Sequence, residues 1–122
     1  MRLDPVTPGA GRWLVDGRPA PGLDGCADVD LEASACTNTV PVHRLRLAAG
    51  AQAAAPAAYV RAVDLAVERL DQTYRRAPDT AAGDEPVFDY AAPRFDVACR
   101  LAYDRSGLVV DYPGLAVRCQ PP

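Results

Sequence analysis

Polar and apolar positions alternate most regularly near the C-terminal end. Phe95, Val97, Cys99, Leu101 and Tyr103 share one face of an extended segment, and Asp96, Ala98, Arg100, Ala102 and Asp104 share the other. A slip of one residue would bring Asp and Arg into the core, so this register is well specified. Asp104-Arg105-Ser106-Gly107 supplies a turn, and Leu108-Val109-Val110 starts a partner strand. The pattern predicts a hairpin from Phe95 to Tyr112. Asp28-Val29-Asp30-Leu31 and His43-Arg44-Leu45-Arg46-Leu47 also alternate with period two and read as strands. Trp13-Leu14-Val15 runs into Asp16-Gly17, a favoured hairpin turn. Residues 18–25 are rich in Pro and Gly and read as a loop or an edge segment.

The middle of the chain gives two answers. No Gly or Pro interrupts Ala57 to Ala77, and Val60, Val63, Val67, Leu70 and Tyr74 recur at three- and four-residue steps. That is the stripe of an amphipathic helix, and the alanines from Ala53 to Ala58 add helix propensity. Tyr59–Val63 and Leu65–Glu68 can equally be strands. Periodicity alone favours the helix.

A chain of 122 residues suits one domain. Residues 1–12 read as a flexible lead, 13–119 as the domain and 120–122 as a tail. Ala-rich Gly50–Ala58 and the polar loop Pro78–Pro86 are too short for interdomain linkers. The first 15 residues hold no apolar signal core, which places the chain in the cytoplasm. No apolar run approaches the roughly 18 to 20 residues of a membrane helix.

Charge narrows the function classes. All 13 basic residues are Arg, and 16 acids leave a net charge of −3, which argues against a general nucleic-acid binder. Cys26, Cys36, Cys99 and Cys119 form no C-x-x-C pair and read as small buried hydrophobes, Cys99 best of all. His43 has no Cys or carboxylate three or four residues away, so neither a metal nor a cofactor is expected. Ser34 and Ser106 lie outside any G-x-S-x-G, and a chain without Lys has no phosphate-binding P-loop. Asp28 and Asp30 would share one strand face. Such a pair can do acid/base work or bind calcium, but a solvated strand face is the favoured reading. Thr37-Asn38-Thr39 can fix a local turn or face a sugar, and the turn is favoured.

Several segments in series carry a resemblance. They are Leu23–Leu31 with its D-V-D-L, Thr37–Leu45 with T-N-T-V-P, Tyr59-Val60-Arg61, Leu70–Tyr74, and Gly107–Leu115 with D-Y-P-G-L. Their order and spacing, from about Trp13 to Arg118, resemble the bacterial "putative glycolipid-binding" family. The resemblance implies an all-β fold: a mostly antiparallel sheet curled into an open or half barrel, similar to periplasmic lipoprotein carriers, with at most one short helical turn before Tyr59. It implies strands over Tyr59–Val63, Leu65–Leu70 and Gln72–Arg76. It also implies a non-catalytic protein that holds a glycolipid or other amphiphile against an apolar concave face. Relatives usually carry roughly 60 more N-terminal residues, enough for several strands. Without them a sheet edge would be exposed, and a homodimer could pair there.

Candidate ligand residues follow from that reading. Leu45, Leu47, Phe95, Val97, Leu101 and Val109 would line the concave face. Trp13, Asn38, Arg44, Tyr74 and Tyr112 would stand at its rim, Arg meeting a phosphate or acidic sugar and the aromatic rings covering a sugar face. Each can also serve in core packing. Two other functions stay open: a structural or protein-interaction module with its concavity filled by its own side chains, and an enzyme using Asp28 and Asp30.

Overall fold

The computed structural model describes residues 1–6, 11–32, 34–78, 86–113 and 116–117. The polar loop after Pro78, Cys119 and the tail fall outside the described residues. Three sheets carry the fold. Strands β1 (Leu3–Pro5), β2 (Trp13–Val15) and β3 (Arg18–Pro19) form a small antiparallel sheet. Strand β4 (Asp28–Leu31) pairs in parallel with β6 (Ala57–Val60), and β7 (Val67–Leu70) pairs antiparallel on the other side of β6. The third sheet has the order β12-β11-β10-β9-β8-β5 and is antiparallel throughout. Its strands are β5 (Gln52–Ala54), β8 (Thr73–Arg76), β9 (Val87–Ala92), β10 (Val97–Tyr103), β11 (Val109–Tyr112) and β12 (Ala116–Val117).

One long hairpin joins the two larger sheets. Its outer part, β5 with β8, belongs to the six-stranded sheet, and its inner part, β6 with β7, belongs to the three-stranded one. Ala55 N–H donates to the Gln72 carbonyl at 2.8 Å where the hairpin crosses between them. Pro56 follows immediately and has no N–H, so the ladder breaks there and the chain turns. The result is all-β, of curled and mostly antiparallel sheets, with no closed barrel among the described strands.

The middle segment is therefore strand, as the resemblance implied and the helical stripe did not. Leu70, Gln72 and Tyr74 are all buried on one face with period two. Val63, which completes the helical stripe on paper, is 90% exposed. It sits in a turn closed by Arg61 N–H donating to the Ala66 carbonyl at 2.9 Å, so β6 stops at Val60 and β7 starts at Val67. Ala53 and Ala54 lie in β5, where a helical turn was expected.

Three other expectations are corrected. Residues 43–45, read as part of a strand, belong to the helix α1 (Thr39–Leu45). Pro41 is tolerated in its first turn, where backbone N–H groups have no helical partner. Arg46 ends it in the left-handed conformation at φ 48°, and Val42, Leu45 and Leu47 pack on the core of the large sheet. Strand β10 starts at Val97, because Pro93–Phe95 form a 3-10 turn and Asp96 has φ 53°. Residues 3–5 of the supposed lead are strand β1, with Leu3 opposite Val15.

The expected hairpins are present. Asp16 and Gly17 both have positive φ, at 50° and 80°, as a type I′ turn requires between β2 and β3. Along β10, Leu101 and Tyr103 are fully buried while Ala98 and Arg100 are exposed, so the alternation read from sequence sets the register. The turn to β11 is closed by Gly107 N–H donating to the Asp104 carbonyl at 3.0 Å. The cysteines divide otherwise than expected: Cys26 is fully buried, Cys99 half-buried and Cys36 exposed.

A tyrosine-walled cavity with a buried carboxylate

The chain has five tyrosines, all on strands that face one interior. Tyr74 and Tyr90 stack at 5.1 Å between ring centres, Tyr90 meets Tyr112 at 6.1 Å, and Phe88 meets Tyr103 at 5.3 Å. Across from them Tyr59 lies 5.1 Å from Phe95. Tyr59, Tyr90 and Tyr112 line a cavity of about 440 Å³ between the two larger sheets, and Leu31, Leu70, Ala92, Phe95, Val97, Ala98, Cys99 and Pro113 supply its apolar surface. That volume lies near the lower end of small-molecule sites, which run from roughly 300 to 1,000 Å³. Its polar groups are Asp30, Ser34, Asn38 and Asp96 besides the phenols, and no Arg or His lines it among the described residues.

The 3-10 turn Ala35–Asn38 and the helix after it are pinned over the large sheet through Asn38. Its side-chain amide donates to the Tyr74 hydroxyl at 2.8 Å, and its backbone carbonyl accepts from the Tyr103 hydroxyl at 2.9 Å. The Tyr90 hydroxyl donates to Gln72 Oε1 at 2.7 Å. Burial pushes the Tyr112 phenol up to about 12 and drives Tyr74, Tyr90 and Tyr103 higher still. All four therefore remain neutral across the physiological range.

The solvated-face reading of Asp28 and Asp30 is overturned. They do share one face of β4, but that face is buried, leaving Asp28 3% and Asp30 9% exposed. Asp28 is held by Arg44 in a two-pronged pair, Nε to Oδ1 at 3.1 Å and Nη2 to Oδ2 at 2.7 Å. The Thr37 hydroxyl, with its single proton, lies 2.6 Å from Asp30 Oδ1, its shorter contact, and 2.9 Å from the Ser34 carbonyl, so the two oxygens share one donor. The turn-fixing role expected of this threonine is thus present. Desolvation raises the Asp30 pKa, with Thr37 opposing it in part. Only Asp30 of the pair lines the cavity, so the two carboxylates do not share a cleft.

Of the residues singled out from sequence, Asn38, Phe95, Val97 and Tyr112 line the cavity. Tyr74 and Leu101 are fully buried behind it, and Leu45, Leu47 and Val109 pack on the same core. Arg44 is taken up by Asp28. Trp13 lies elsewhere, packed on the separate cluster of Leu23, Cys26 and Ala58, with its indole N–H donating to the Cys26 carbonyl at 2.8 Å. Sequence reasoning weighed Asp30 only with Asp28, as an acid/base or calcium pair, and did not count Asp30, Tyr59 or Tyr90 among the residues that would meet an amphiphile. The signal for the tyrosines was their number against two phenylalanines, since a buried phenol calls for polar company. Among the described residues no three His, Cys, Asp or Glu side chains gather to hold a metal ion, and no helix is long and apolar enough to cross a membrane.

Comparison with known proteins agrees with this fold. A crystal structure of a DUF1089 family protein from Pseudomonas aeruginosa is 36% identical and superposes with a TM-score of 0.77, covering 93% of this chain and 59% of that one. The chain thus spans less than two thirds of that neighbour's length. No curated protein matches it. The model of the family described as "Putative glycolipid-binding" matches residues 3–118, nearly the whole sequence, and the chain belongs to that family.

Proposed function

We propose that the protein binds an amphiphile without transforming it, its head group and the adjoining part of one chain entering the tyrosine-walled cavity. The observation that carries this reading is the lining itself: a mostly apolar and aromatic surface with a few polar groups converging on it, the usual build of a ligand site. The family's description points the same way. The separation of Asp28 from Asp30 supports a non-catalytic role, because acid/base work by that pair needs both carboxylates at one reacting centre. The reading involves no nucleic acid, in line with the net charge of −3. Native mass spectrometry of protein purified from its own host, with lipid extraction alongside, tests it. A stoichiometric amphiphile adduct is the expected result, and a bare mass with an empty extract would overturn it.

A second reading has one observation in its favour. Val42, Leu45 and Leu47 fill much of the large sheet's concave face from within. A protein-interaction module needs no more cavity than that filling leaves. A homodimer through an edge strand such as β4 belongs to this reading, and light scattering of the purified protein tests it. A single monomeric species counts against it.

A further inference from the structure

Among the described residues Asp28 has a guanidinium partner in Arg44 and Asp30 has none, although both sit on one face of the same strand. Among the described residues, the charged groups of the cavity lining are Asp30 and Asp96, both acidic. A buried carboxylate without a counter-charge is unfavourable in the empty protein. A ligand that brings the missing cation removes that penalty on binding. We propose that the cavity selects an amphiphile whose head group carries a protonated amine, donating to the Asp30 carboxylate among the rings of Tyr59, Tyr90 and Tyr112. This rests on the amphiphile reading above and narrows it.

The chemistry discriminates among head groups. A phosphate or sulfate would meet two carboxylates and no cation, so like charges oppose it. A neutral sugar could donate hydroxyls to Asp30 but would leave its charge uncompensated. An ammonium satisfies the charge, and aromatic faces attract it more strongly than they attract a neutral hydroxyl, whereas they repel a phosphate. Thr37 already orients one carboxyl oxygen, Oδ1, so the group is held in place before the ligand arrives. The titratable groups set around Asp30 are the phenols of Tyr59, Tyr74, Tyr90 and Tyr112, the Cys99 thiol, which burial pushes up, and the Asp96 carboxyl. The phenols stay protonated through the working range, so amine affinity rises with pH as Asp30 loses its proton.

Calorimetric titration with three single-chain probes, each kept below its micelle concentration, tests the inference: n-octylamine, n-octyl β-D-glucoside and n-octyl phosphate. The amine should bind tightest. Asp30→Asn should weaken the amine about tenfold or more, the scale of a charged hydrogen bond, and change the glucoside less than about threefold. Asn keeps an acceptor for Thr37, and circular dichroism checks the variant's fold. Should Asp30→Asn fail to fold, the ranking of the probes on the natural protein still decides. Glucoside or phosphate binding as tightly as the amine overturns the inference and leaves the amphiphile reading standing. Binding of none of the three overturns both.

Discussion

The two ends of strand β4 make a controlled comparison. Asp28 and Asp30 have the same side chain, lie two residues apart and point to the same interior. At the Asp28 end the chain closes the site with its own Arg44, reaching from the helix that follows. At the Asp30 end it supplies a single neutral hydroxyl, from Thr37, and leaves the carboxyl facing a cavity. Burial alone therefore does not separate a structural carboxylate from one available to a ligand. The counter-charge does. A buried ion pair that loses one partner leaves the other stranded, whereas removal of an uncompensated buried charge relieves a penalty.

That difference predicts stability changes of opposite sign, from substitutions two residues apart. Asp28→Asn should destabilise by about 2–3 kcal/mol, somewhat less than for a fully buried pair because the Arg44 side chain is 40% exposed. Urea unfolding measures it, and a change below about 0.5 kcal/mol would end the assignment of Asp28 as a structural anchor. Asp30→Asn should instead raise the stability of the ligand-free protein by about 1 kcal/mol. A loss of similar size would mean that the Asp30 carboxylate is compensated after all.

Titration sharpens the same contrast. The pKa of Asp30 is raised by desolvation, so between the ordinary Asp range and its folded value the native state holds a proton that the unfolded chain has released. Stability should therefore fall as pH rises through that window and level off above it. The Asp30→Asn protein should lack this fall, and urea unfolding across a pH series compares the two. The smallest effect is expected outside the interior. Asp89 is flanked on the sheet surface by Arg75 at 3.2 Å and Arg100 at 2.9 Å, and the Arg100 hydrogen bond leads in lowering its pKa. Despite two cationic neighbours its side chain keeps contact with solvent, 38% exposed, and Asp89→Asn should shift stability by no more than about 0.5 kcal/mol. A larger loss would show that counter-charges matter as much at this surface as under β4.

The legible parts of the fold were those fixed by local chemistry. The alternation along β10 and the Asp16-Gly17 turn each express one strong rule, and both appear where they were read. The turn between β6 and β7 was hidden because Leu65 adopts φ 56° where a glycine would have announced it, and its neighbours happen to complete a helical stripe. Helix α1 was hidden because the alternation of His43–Leu47 straddles its C-terminal end: residues 43–45 close the helix, Arg46 turns left-handed and Leu47 lies beyond it. The site was harder to see. The burial of Asp28 depends on Arg44, sixteen residues away, and the cavity draws its walls from both larger sheets. The individual segments were recognisable, but their meeting was not, since it is made by the hairpin that crosses at Pro56.

The parallel pairing of β4 with β6 also bears on the order of assembly. The β9–β10 and β6–β7 hairpins join neighbouring segments and close short loops, which chains do quickly. Strand β4 reaches β6 only across the helix and β5, and it stands at the outer edge of its sheet with one neighbour. The wall that carries Asp30 should therefore dock later and open earlier than the β9–β10 pair. Backbone amides of β4 should exchange with solvent faster than those of β9 and β10. A ligand held by Asp30 would slow that exchange most, acting as a late fastening for the edge of the fold.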